Sequence, residues 1–392
     1  MLFLVYVIAV LLFTILKRKK NTWFIYAIFA GFLVWTCDGT QSDFEGYYDI
    51  FERINNTGEN LVGAGLGWFW LCRFFGSIGL NYHGMVLVLV LASCYLLHSL
   101  FLKFDLNENV TWTALLIFPL LINCIQIRFF FAMAIILYFL KYLLFESKYS
   151  LIIYSVGVLI ATSVHTGAAI FSICILIILY EHHSKKTNFL ITCFIGIVAV
   201  VCVCLGPRFA KGFLRASQYS RYIEDSISKS SVKWCVAIII CWLISMVIFK
   251  YIGYSQAWKR SKEVSYGLNK EKRKLFRTIR IKKYYKEEEK KYSLVYVRIQ
   301  RIIYLLGLTI PLLIFDRNFY RYIQMGYILD ALCLGIYWRY ASKGTHEEND
   351  SKWKVLICYG LAMLPAIYSI TLTPVNVTEP LFTYYGLPSI FR

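Results

Sequence analysis

The sequence predicts an all-α integral membrane protein, a polytopic bundle of about 12 transmembrane helices, on three observations. The 392 residues are 58% hydrophobic and only 17% charged, against about 45–50% apolar and about 25% charged in soluble domains. The apolar residues come in blocks near the length of about 20 residues that a bilayer span requires. Lys and Arg, the source of a net charge of +19, are confined to short segments between those blocks.

The elements follow in chain order. Met1 to Leu16 is apolar and precedes Lys17-Arg18-Lys19-Lys20. A cleaved signal peptide carries its positive charge before the apolar stretch, so this block reads as a retained first span with its N-terminus outside. Further spans are expected at 22–37, 82–102, 110–127, 129–147, 149–164, 167–181, 188–206, 232–251, 302–315, 323–338 and 355–372. This register puts 17–21, 103–109, 141–148, 182–187, 252–301 and 339–354 on the cytoplasmic side. The basic residues agree with it: 252–301 alone holds 16 Lys or Arg, and cytoplasmic loops are the ones enriched in them.

The whole chain, 1–392, thus reads as one polytopic membrane domain with two distinctive insertions. Residues 38–81 form an outer loop and interfacial helix. The helix comes from the Gly-rich, aromatic stretch 61–80, which sets Trp68 and Trp70 at headgroup depth. Residues 252–301 form a basic cytoplasmic loop, either an amphipathic helix on anionic lipid or a solvated connector. The positive charge therefore points to membrane lipid as a partner, and nucleic acid is not expected. Nearly all of the 12 cysteines lie in apolar blocks, where Cys behaves as a small apolar residue. Neither a disulfide framework nor a metal site is expected, and no cofactor is implied.

On that topology the unusual polar residues collect on one face. Asp38, Asp43, Glu45, Tyr47, Tyr48, Glu52 and Arg53 fall in the first outer loop. Arg128 and His165 sit at outer turns, and Arg208, Lys211, Arg215 and Arg221 lie in the outer loop 207–231. Asp316, Arg317 and Arg321 lie at the outer end of a late span. An ionisable residue inside apolar sequence is costly and marks a functional hypothesis. For Arg128 the competing reading is a side chain that snorkels to the interface. A functional guanidinium there suits a bidentate grip on phosphate. His165 can serve as a general base near neutral pH, or make one structural hydrogen bond. Asp43 and Tyr47 are four apart, as are Tyr48 and Glu52, so each pair shares a face if the stretch is helical. A carboxylate beside an aromatic surface can hold a sugar ring. Arg317 and Arg321, also four apart, can bracket a pyrophosphate or anchor the interface.

These residues, in this order, resemble the EpsG family of exopolysaccharide polymerases, relatives of the Wzy-type O-antigen and capsule polymerases. The matching features are Asp43-x-x-x-Tyr47-x-x-x-Phe51, the Gly-rich stretch Gly63 to Gly67, Ile127-Arg128 opening a span, Val164-His165, and Arg317-x-x-x-Arg321-Tyr322. One departure is Phe129, where the family commonly has Gln after the Arg. The resemblance implies a glycosyltransferase in the bacterial inner membrane, crossing it several times and working at its outer leaflet. The implied substrate is an oligosaccharide repeat unit on undecaprenyl pyrophosphate, and the growing glycan moves from its carrier onto a new unit. A chain-length regulator and a flippase are the protein partners it suggests. In that reading Arg128, Arg317 and Arg321 hold the pyrophosphate and His165 is the base. Asp43, Tyr47, Tyr48 and Glu52 take the acceptor sugar, and the roles of His165 and Asp43 are interchangeable.

Three rivals share the membrane setting. A lipid-linked oligosaccharide flippase wants polar groups at mid-bilayer and broken helices in paired positions. A metal-using glycosyltransferase makes Asp38 and Asp43 cation ligands. An acyltransferase built on His165 lacks a dense His and carboxylate cluster.

Overall fold

The computed structural model describes residues 22–35, 42–58, 65–104, 106–145, 149–177, 298–310 and 321–341, with single positions at 236, 239, 240, 243 and 295. Among the described residues every element is helical and there is no strand. In chain order they are α1 (Trp23–Trp35), α2 (Ser42–Thr57), α3 (Leu66–Ser77), α4 (Tyr82–Phe101), α5 (Glu108–Ile117), α6 (Leu120–Ile125), α7 (Ile127–Leu144) and α8 (Ser150–Val164). A 3-10 segment, Thr166–Ile175, follows α8, and the last is α9 (Arg321–Ala341). Of these, α4 and α7 are long and apolar enough to cross a membrane, and the chain is a helical membrane protein. The expected spans 1–16, 188–206, 232–251 and 355–372 lie outside the described residues or are represented only by single positions.

The helices start where the sequence supplies caps. Asn81 accepts from the Gly84 N–H at 2.9 Å to open α4, and Asn107 accepts from the Val110 N–H at 3.3 Å to open α5. These caps satisfy N–H groups that a helix start leaves without intrahelical partners. The core is one continuous apolar cluster, with α1 and α7 packed against α4 and α8 packed against α7. Packing is dense enough that α7 is buried over most of its length. The described cysteines Cys72, Cys94, Cys124, Cys174 and Cys333 are all buried and free.

Two expected spans take other forms. The stretch 110–127 is not one helix but α5 and α6, broken at Phe118-Pro119. Proline has no N–H, and it disfavours the helical conformation of the residue before it. Phe118 is accordingly extended. A second break at Gln126 separates α6 from α7, so Arg128 lies in the first turn of α7 rather than in the turn before it. The stretch 167–181 opens as the 3-10 segment. The loop expected over 252–301 is largely outside the described residues, but its last positions, 298–301, are helical. Arg298 is buried there, with Nη1 donating to the Leu144 carbonyl at 2.6 Å.

The helices give the molecule two chemically distinct ends. At the far end, Thr22 donates through its N–H and hydroxyl to Glu108 Oε2 at 3.3 and 3.4 Å. Trp23 stacks on His98 with centroids 5.7 Å apart, and Lys141 Nζ donates to Ser99 Oγ at 2.9 Å. The Asn107 N–H donates to the Gly335 carbonyl at 2.9 Å, which ties α9 antiparallel to α5. The starts of α2, α3, α7 and α9 gather at the other end.

Candidate active site

The site is assembled from those starts. Asp43 and Tyr47 lie one turn apart in α2, on one face as their spacing requires. Asp43 Oδ2 accepts from Arg321 Nη2 at 2.6 Å, across 278 residues of sequence. The pair is partly open, with the side chains 15% exposed for Arg321 and 32% for Asp43. Tyr47 leans on Trp68, with ring centroids 5.9 Å apart. The far side of the contact is Arg128, whose Cζ lies 6.0 Å from the centroid of the Trp68 ring.

Arg128 is buried and does not snorkel to a free surface. Its Nε donates to the Val164 carbonyl at 2.8 Å, which otherwise ends α8 without a helical partner. The guanidinium is thus fixed at one nitrogen, and its remaining N–H groups are oriented by that bond. Close approach of α3 depends on Gly65, whose φ of +70° is open to glycine. A Cβ there would lie 2.8 Å from the Ser163 carbonyl oxygen and 3.1 Å from Arg128 Nη2.

His165 follows Val164 in the turn before the 3-10 segment. Its Nδ1 accepts from the Gly167 N–H at 3.1 Å, which leaves the proton of the neutral ring on Nε2. Burial, and then the Arg128 and Arg321 cations, push its pKa down to about 3. At neutral pH this imidazole is an uncharged N–H donor and a weak base. Phe129 holds the ring edge-on at 5.2 Å. The same Phe129 packs against Tyr322 at 5.9 Å and Phe171 at 6.2 Å. It is the apolar hub that joins α7, α9 and the 3-10 segment.

Three helix starts therefore meet around the Arg128 guanidinium: α3 after Gly65, α7 after Gln126, and the 3-10 segment after His165. Helix N-termini carry partial positive charge and exposed N–H groups, and favour anions. With Arg128 and Arg321 alongside, the cluster suits a multiply charged anion such as a diphosphate.

The structure brings Asp43, Tyr47, Arg128, His165 and Arg321 to one end, as the residue pattern anticipates. Tyr48 and Glu52 lie elsewhere on α2. Tyr48 is exposed and meets Tyr82 edge-on at 5.8 Å, and Glu52 is part-buried one turn beyond it. Arg317, Asp316 and Asp38 lie outside the described residues, as do Arg208, Lys211, Arg215 and Arg221. Trp68 is fully buried beside Arg128, whereas Trp70 is exposed. Spacing carried this signal: Leu66, Trp70, Phe74 and Ile78 are exposed, and Trp68, Cys72 and Phe75 are buried. That is the two-faced pattern of an amphipathic helix.

The EpsG family model matches residues 22–391, nearly the whole chain. No match is found among curated proteins or among solved structures. On the extent of that family match the chain belongs to the EpsG family, and so to membrane proteins of exopolysaccharide biosynthesis with a polymerase-type, glycosyl-transferring role.

Proposed function

We propose that the chain is a polysaccharide polymerase that transfers a growing glycan from undecaprenyl pyrophosphate onto a lipid-linked oligosaccharide repeat unit. It does so at the outer face of the bacterial inner membrane, which it crosses several times. The observation that carries this reading is the meeting of Asp43, Arg128, His165 and Arg321 at one end of the helices, from the starts of α2, α7, the 3-10 segment and α9, although they are scattered through the chain. A flippase would instead be expected to hold its polar groups near mid-bilayer, between broken helices in paired positions.

In the proposed reaction an acceptor hydroxyl attacks the anomeric carbon of the donor glycan. The new C–O bond forms as the bond to pyrophosphate breaks, and the electron pair leaves on the phosphate oxygen. Arg128 and Arg321 stabilise that developing charge, which exceeds the charge at this oxygen in the ground state. His165 donates Nε2–H to an oxygen of the same group. Its depressed pKa makes it a poor base, and Asp43, beside Arg321 at the same site, takes the hydroxyl proton. Asp43 is released for this when pyrophosphate draws Arg321 away from it. Arg317 joins Arg321 on the pyrophosphate, and Tyr47 with Trp68 offers an aromatic surface for the acceptor sugar. Tyr48 and Glu52 extend the acceptor side along α2. A flippase supplies the lipid-linked units and a chain-length regulator acts on the product.

The test is Asp43→Asn in cells that depend on this chain for their polysaccharide. The expected outcome is a protein inserted at normal level, no polymer, and single lipid-linked units exposed outside. Full-length polymer from that variant would overturn the proposal, as would single units retained inside.

A further inference from the structure

Two buried carboxamides are left unused by the reaction above. Gln324 has no measurable exposure and Asn123 is 1% exposed. In both residues the amide nitrogen and the carbonyl oxygen have no hydrogen-bond partner among the described residues. Away from water such groups are expensive, and native structures pair nearly all of them. Four unpaired polar atoms therefore need an explanation.

Their position supplies one. Gln324 lies three residues after Arg321 on the same side of α9, about 4.5 Å farther along the helix axis. Asn123 lies in α6, on the chain that runs antiparallel to α9. Phe118 packs on Tyr327 at 5.3 Å, and Phe129 packs on Tyr322 at 5.9 Å. These two ring contacts bracket Asn123 on one segment of chain and Gln324 on the other, with Gln324 one turn inside Arg321. They do not bond each other.

We propose that Asn123 and Gln324 are the specificity-determining groups of a glycosyl subsite beneath the pyrophosphate position. A carboxamide offers a donor and an acceptor and no charge. That suits the hydroxyl groups of a neutral sugar ring and does not suit a phosphate, which the two arginines already serve. The subsite takes the sugar attached directly to pyrophosphate, and it opens when Arg321 leaves Asp43. This deepens the polymerase reading and rests on it.

The experiment uses Gln324→Met and Asn123→Leu, which keep approximate volume and remove the polar atoms. Each variant, in full-length protein in detergent, is measured for thermal midpoint and for binding of farnesyl pyrophosphate, a probe with no sugar. Polymer and single lipid-linked units are measured in cells. The expected result is an unchanged or raised midpoint, because removing an unpaired buried amide relieves its desolvation. Farnesyl pyrophosphate affinity stays within about twofold, and polymer falls at least about tenfold as the sugar loses its partners. Wild-type polymer in both variants overturns the inference and leaves the polymerase reading standing. So does a lowered midpoint that tracks the loss of polymer, which makes the amides structural. A wild-type protein that neither binds farnesyl pyrophosphate nor makes polymer overturns both.

Discussion

Replacing Arg128 by Lys keeps the charge and removes the fork, and the geometry says what that does. Arg128 Nε is committed to the Val164 carbonyl at 2.8 Å, and the residue is 7% exposed. A lysine has one nitrogen for two tasks. If the ammonium takes the Val164 carbonyl, the anion site loses a preplaced donor, a loss of about 2.7–4 kcal/mol or about 10²–10³-fold in rate. If it turns to the anion instead, a buried carbonyl goes unpaired, which lowers stability by about 1–3 kcal/mol. Arg128→Lys is therefore expected to slow chain growth by at least about 100-fold or to unfold measurably earlier, and Arg128→Gln to be no better. The assay reads the ladder of polymer lengths from cells beside the thermal midpoint of purified protein. Polymer at the wild-type rate from Arg128→Lys with an unchanged midpoint would refute the reasoning, because neither arm of the choice would then cost anything.

Two further outcomes follow from the same cluster. Gly65→Ala and Gly79→Ala both place alanine at positive φ, +70° and +78°, and each loses about 1–3 kcal/mol to backbone strain. A Cβ at Gly79 meets nothing within 4 Å, while one at Gly65 meets the Ser163 carbonyl and Arg128. Only Gly65→Ala is expected to lose polymer, and equal polymer from both variants would count against the close approach of α3. His165 is depressed to about 3 from about 6.5 in an unfolded chain. Between those values the unfolded state binds more protons, so stability rises with pH. The contribution is complete above about 6.5 and shrinks as pH falls toward 3. The thermal midpoint of wild-type protein is expected to drop between pH 7 and 4.5 more steeply than that of His165→Gln, and parallel slopes would contradict the burial of the ring.

The ends of the helices were legible because polarity is written directly into composition. Arg128 interrupts a long apolar run, and Asp43 and Tyr47 repeat at helical spacing. Alternating the spans sends all three, with His165 and Arg321, to one side, and the structure gathers those five at one end. The 3-10 segment was not legible. Gly167-Ala168-Ala169-Ile170-Phe171 has no polar side chain, and an apolar run has no period from which to distinguish 3-10 from α. Its form shows in tertiary contacts, where the Tyr154 hydroxyl donates to the Phe171 carbonyl at 2.9 Å.

Pairing across the chain was the deeper gap. Asp43 shares a local spacing with Tyr47, and Arg321 shares one with Arg317, so local reading assigns each to its own helix face. Nothing in either segment says that Asp43 and Arg321 neutralise one another. That contact matters because an unpaired cation in a partly buried site is costly. In the proposed reaction Arg321 holds a diphosphate and needs a counter-charge while the site is empty, and Asp43 lies 2.6 Å from it. On that proposal the carboxylate is masked until the anion arrives. A cluster that must be both stable when empty and electropositive when working has few other solutions in a membrane. The ion pair is accordingly as much a part of the proposed chemistry as either residue alone.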